Sequence, residues 1–151
     1  MNLENAKRAI AVMERVKTYS PFAFDMTMWF KDYNFTAPIP VSEDQALECG
    51  TAACFLGWLA LAPEIPEIFV SPDDWDLIQH INGSEYAFAL SHFLEISSTE
   101  AYALCGIHLT YEEERKANFP KYLDYGIPTP QDVIDLLNYL IDRYSPLETT
   151  Q

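Results

Sequence analysis

Between Asp32 and Glu114 the sequence contains no lysine and no arginine, and the same stretch carries fifteen aspartates and glutamates. Soluble surfaces ordinarily intersperse both signs of charge. A run without cations cannot form a phosphate-binding surface, because affinity for nucleic acid rests on lysine and arginine. Over the whole chain nine bases face 23 acids, for a net charge of −14. No apolar run reaches the ~18 residues of a membrane-spanning helix, so no membrane partner is expected. The opening MNLENAKRAIAVMERVK spreads its charges along its length and has no apolar core followed by a cleavage site. It therefore reads as a helix of a cytoplasmic chain rather than a secretory leader. Cysteines number three, an odd count that argues against a disulfide framework. HExxH, GxSxG, a phosphate-binding glycine loop and a dinucleotide fingerprint are all missing. No cofactor is implied.

What is present is globular. Apolar residues make up 49% and aromatics 14% of 151 residues, enough to bury a core without a disulfide or a metal. The length fits one domain, expected over 1–145, with 146–151 as a flexible tail. The expected class is mainly α: six or seven short helices, with one short extended segment near 22–30.

The helices are read from apolar spacing and from their ends. Leu3, Ala6, Ile10, Met13 and Val16 place a first helix over 3–19, with Asn2 as its cap and Ser20-Pro21 as its stop. Phe22, Phe24, Met26, Met28 and Phe30 alternate, as in a strand that lacks an evident partner. Residues 34–48 hold Pro38, Pro40 and a cluster of acids, and read as a loop. Thr51 is expected to cap a helix running to Pro63. After a proline-broken stretch, Ser71-Pro72-Asp73-Asp74 starts a helix that ends near Ile81, before Asn82-Gly83. Ser84 and Ser98 open two more helices, the second stopping at Gly106. Thr110 and Glu113 form a capping box for a short helix to about Asn118. Thr129-Pro130 starts the last, with Val133, Leu137, Leu140 and Tyr144 in one stripe.

Cys49-Gly-Thr-Ala-Ala-Cys-Phe-Leu-Gly-Trp58 is the most distinctive segment. Ala53 and Gly57 stand four apart without bulk, and glycine inside a helix costs about 1 kcal/mol relative to alanine. The pattern points to a tightly surrounded central helix. Together with Met28-Trp29, Ala87 to Leu104 and Thr129 to Leu140, this block resembles a family of small bacterial and phage proteins with the signature Trp…C-G-T-x-x-C-x-x-G-[HW] and no assigned activity. The likeness covers roughly half of the chain. It departs from the pattern at Leu56, where alanine is usual, and at Cys105, where phenylalanine is usual. The resemblance implies a helical domain of phage or mobile-element origin and transfers no catalytic residue.

Three functional readings follow from the residues. The carboxylates of the base-free stretch outnumber the bases elsewhere, so they project a negative field toward a basic protein partner; the plainer alternative is an acidic surface that serves solubility. The candidate contacts are Glu43, Asp44, Glu64, Glu67, Asp73, Asp74, Trp75 and Asp76, and then Tyr111, Glu112, Glu113 and Glu114. Aromatic rings among acids are typical of protein-binding surfaces, where the ring anchors and the carboxylate orients. On this reading the chain is a non-enzymatic accessory inhibitor of a host nucleic-acid-handling or defence protein, and in the strongest form its carboxylates imitate phosphates. The second reading is a thiol-dependent enzyme or redox protein centred on Cys49, next to a helix start that lowers a thiol pKa. The third is a structural zinc held by Cys49, Cys54, Cys105 and His108, a sound tetrahedral donor set with loose spacing.

Overall fold

The computed structural model describes residues 1–19, 23–25, 30–32, 42–49, 51–71, 77–105 and 129–145. Asn2 caps the first helix, α1 (Leu3–Val16), by accepting the Asn5 backbone N–H at 3.0 Å. Its inward face is Ala6, Ala9, Val12, Met13 and Val16. That stripe is rotated from the expected one, since Leu3 stays exposed and Ile10 only half-buried. The two alanines let other elements approach the helix closely. The last helix, α6 (Pro130–Tyr144), lies against α1 and buries Val133, Ile134, Leu136, Leu137 and Leu140. Its start follows from local chemistry. The Thr129 side chain accepts from the Asp132 N–H, the Asp132 carboxylate accepts from the Thr129 N–H, and Pro130 supplies a preset φ.

Also packed against α1 is α3 (Phe55–Leu61), whose side chains fill the core. Phe55, Leu56, Gly57, Trp58, Leu59 and Leu61 are all buried, as expected of a helix apolar all round. Trp58 donates its indole N–H to the Ala23 carbonyl at 2.9 Å, which satisfies its polar edge in the interior. The expected helix start at Thr51 is wrong. Thr51–Ala53 is a strand, β2, paired antiparallel with β1 (Phe30–Asp32) in the register Phe30↔Ala53 to Asp32↔Thr51. The helix opens four residues later, where the extended Cys54 accepts the Gly57 N–H on its sulfur at 3.4 Å. The strand at 30–32 and a bridge from Phe24 to Ala53 give the aromatic segment near 22–30 its missing partner.

Two further expectations are overturned. The helix read over 71–81 is absent at its C-terminal end, where β4 (Ile78–His80) pairs antiparallel with β3 (Ile68–Val70), Ile68 opposite His80. Three-residue strands are too short to show a period of two, and the residues between them (72–76) lie outside the described set. The loop read over 34–48 contains α2 (Glu43–Cys49). After a turn through Gly83, at φ +91°, come α4 (Tyr86–Leu94) and α5 (Ser98–Cys105). The cap of α5 is Ser97, one residue before the expected Ser98. Its hydroxyl accepts from the Glu100 N–H at 3.1 Å. The chain is thus mainly helical. Of the helices read from the sequence, five have counterparts, at 3–16, 55–61, 86–94, 98–105 and 130–144. The one over 110–118 and the tail at 146–151 lie outside the described residues. Among these residues no helix is long and apolar enough to cross a membrane.

Candidate interaction surface

The predicted contact residues separate into two groups with different physical roles. Arg8 and Arg15, seven residues apart, lie on one face of α1 and reach across to the acidic part of the chain. Arg15 forks onto Glu43 through two bonds of 2.8 Å and onto Glu64 through bonds of 2.9 and 2.6 Å. Tyr19 donates its hydroxyl to the same Glu43 carboxylate at 2.5 Å. Arg8 meets Glu67 at 3.1 Å, donates to the Glu64 carbonyl at 2.9 Å and sits 5.4 Å above the Phe93 ring. The guanidinium on Glu64 holds that carboxyl below its usual range, and the two carboxylates in turn hold Arg15 firmly protonated. Burial, helped by Glu43, pushes the Tyr19 hydroxyl up to about 12.

Glu43, Glu64 and Glu67 therefore bind α1 to α2 and to the segment before β3. Their charge meets arginines of the same chain, so they are poor candidates for contacts with a partner. Sequence spacing alone gives no such pairing across 28 to 59 residues, although Arg8 and Arg15 at heptad spacing were a readable hint of a cationic helix face. Asp44 is exposed on the first turn of α2. Asp73, Asp74, Trp75, Asp76, Tyr111, Glu112, Glu113 and Glu114 lie outside the described residues, as does His108.

A second face carries groups the sequence reading passed over. Along α4, Ala87, Ala89, Leu90, Phe93 and Leu94 point into the core. Phe88 and His92, four residues apart, are exposed on the outward side, and the exposed Glu85 and Glu95 are the caps at the two ends of the helix. Phe88 is 50% exposed and packs edge-on against Tyr102 of α5, itself 49% exposed, with ring centroids 5.7 Å apart. His92 lies beside His80 of β4, their rings 6.2 Å apart. His80 accepts the Asn82 N–H on Nδ1 at 3.2 Å, which leaves its other nitrogen carrying the proton when neutral. Ile81, at 66% the most exposed large apolar residue described, sits in the adjoining turn. Glu85 and Glu95 are exposed, and neither makes an ion pair among the described residues. The readable signal was Phe88, two residues from Leu90 and so off the buried stripe.

Glu100 is the deepest acid described. Its Oε1 accepts from the Ser97 N–H at 3.0 Å, from the Ser97 hydroxyl at 2.9 Å and from the Tyr144 hydroxyl. Its Oε2 lies 3.5 Å from an Arg143 nitrogen without a hydrogen bond. The residue fastens the start of α5 to the end of α6. Burial, with Glu100 adding to it, raises the Tyr144 pKa.

Cys54 is buried and serves as the α3 cap; burial pushes its thiol up to about 12. Burial likewise raises Cys105, with the nearby Cys54 adding to the effect. Both thiols are held protonated at neutral pH, the opposite of what a nucleophile requires. The Cys49 backbone closes α2 rather than opening the following helix. Among the described residues no three acidic, cysteine or histidine side chains are grouped to hold a metal. No protein-family model, curated protein or solved structure matches the chain.

Proposed function

We propose that this chain is a non-enzymatic binding protein that engages a basic partner protein through the acidic side of its base-free stretch. The observation that carries the reading is the division of the acids. Between residues 32 and 114 the chain supplies no cation. Arg8, Arg15 and Arg143 reach in from outside and take up Glu43, Glu64, Glu67 and Glu100. Asp44, Glu85 and Glu95 remain exposed, without an ion pair among the described residues. A surface of one sign steers an oppositely charged partner and repels nucleic acid and other acidic proteins. The resemblance of the Cys49 to Trp58 block to small bacterial and phage proteins fits an accessory role against a host nucleic-acid-handling or defence enzyme. In its strongest form the carboxylates occupy that enzyme's basic channel in place of phosphates.

The test is capture of partners from a bacterial lysate on the tagged protein, with elution by a salt gradient. One basic protein released in stoichiometric amount at moderate salt is the expected result, because contacts between exposed charges weaken with ionic strength. Release of nothing specific would leave the acidity as a solubility feature and overturn the reading.

A further inference from the structure

We propose that the outward face of α4, with Phe88 and Tyr102 at its centre and Glu85 and Glu95 at its ends, is the docking site for an arginine-bearing segment of the basic partner. This rests on the basic-partner reading above and goes further by naming the anchor.

The two rings are the first part of the argument. Phe88 and Tyr102 make an edge-on pair of which about half is open to solvent. Neither is among the buried residues of the core. Exposed aromatics of this kind are the usual anchors of protein interfaces, and a guanidinium stacks on such rings better than an ammonium does. Within the molecule Arg8 already makes this contact, 5.4 Å above the Phe93 ring on the inner side of the same helix.

Charge complementarity identifies the occupant. The patch lies in the stretch that has no cation of its own. Glu85 and Glu95 flank it as the two caps of α4, and both are exposed. A partner that matches it carries an arginine over the rings and further cations to either side, beside the carboxylates. A second copy of this chain is disfavoured, since a two-fold contact would bring Glu85 and Glu95 of each copy against acids of the other.

The experiment is fluorescence anisotropy of a labelled nona-arginine peptide, and of nona-lysine, titrated with the full chain at low salt. The expected result is that Phe88→Ala and Tyr102→Ala each weaken nona-arginine binding about tenfold, while nona-lysine changes less than about twofold. Glu85→Gln with Glu95→Gln should weaken both peptides, and Asp142→Asn, an exposed acid on α6, should weaken neither. Wild-type affinity of Phe88→Ala for nona-arginine would overturn this site and leave the basic-partner reading standing. Failure of both peptides to bind the wild type would overturn both. A wild-type dimer in sedimentation that Phe88→Ala dissolves would assign the face to a second copy. A melting temperature lowered by many degrees in Phe88→Ala would assign it to packing within the chain. Either result refutes the proposal.

Discussion

Replacing Arg15 by methionine removes the cation that holds two carboxylates while keeping most of the stem's apolar packing. The Glu43 side chain is only 9% exposed, so after the change it keeps a buried charge with Tyr19 as its remaining partner. Stripping one partner from a fully buried pair costs about 3–5 kcal/mol. Here the arginine is 35% exposed, and water can reach the site from that side, so about 2 kcal/mol is the appropriate figure for Glu43. Glu64 is 36% exposed and adds about 0.5 kcal/mol, as exposed pairs do. The sum, about 2.5 kcal/mol, corresponds to a fall in Tm of roughly 5–10 °C for a domain of this size. Urea denaturation followed by circular dichroism measures it, together with Glu43→Gln and the double variant. The coupling energy between positions 15 and 43 should exceed about 1 kcal/mol. A loss below about 0.5 kcal/mol for Arg15→Met, or additive single effects, would show that Glu43 does not depend on Arg15, and would return it to the pool of partner-facing acids.

Further outcomes follow from other contacts. Because Arg15 depresses the Glu64 carboxyl, the stability it contributes is present above the ordinary carboxylate range, near 4.5, and is lost as pH falls through the lowered value; Glu64→Gln should flatten that part of an acid denaturation profile. Tyr19 is raised from 10.0 to about 12, so its contribution holds below pH 10 and disappears as pH climbs toward 12; Tyr19→Phe should remove that alkaline slope. Cys54→Ala should destabilise by about 1 kcal/mol through the lost cap, with Cys54→Ser largely restoring it. In the wild type Cys54 should react with a thiol reagent only on unfolding, and rapid labelling in the folded state would contradict its burial. Thr129→Ala should cost about 1 kcal/mol in a thermal melt, and no change would mean that α6 is positioned by its packing alone.

The parts of the fold that could be read from the sequence are those fixed within a few residues. Asn2 and Thr129 were identifiable as caps because a cap needs only its own side chain and the next three N–H groups. The apolar surround of Trp58 was readable because every neighbour in Phe55–Leu61 is apolar. The start of that helix was not, since Thr51 is the better capping residue by type, yet its backbone is claimed by a ladder to Phe30–Asp32. That pairing is decided at long range. Strands β3 and β4 escaped for the same reason, each being three residues long with one buried position. The site was legible in its overall sign and not in its detail. Counting charges showed an excess of acid; only the folded chain shows that Glu43, Glu64 and Glu67 meet Arg8 and Arg15 while Glu85 and Glu95 stand exposed at the two ends of α4.

Charge reversal away from the internal pairs tests the central claim most directly. Asp44, Asp73, Asp74 and Asp76, changed together to lysine, reverse four charges of the base-free stretch while Glu43, Glu64 and Glu67 stay in place. The protein captured from lysate is then titrated calorimetrically with the wild type and with this variant at two salt concentrations. A variant that keeps its helical circular dichroism, while affinity for the basic partner falls at least about a hundredfold, is the predicted result. Unchanged affinity in a folded variant would contradict the claim that the base-free stretch is the binding surface.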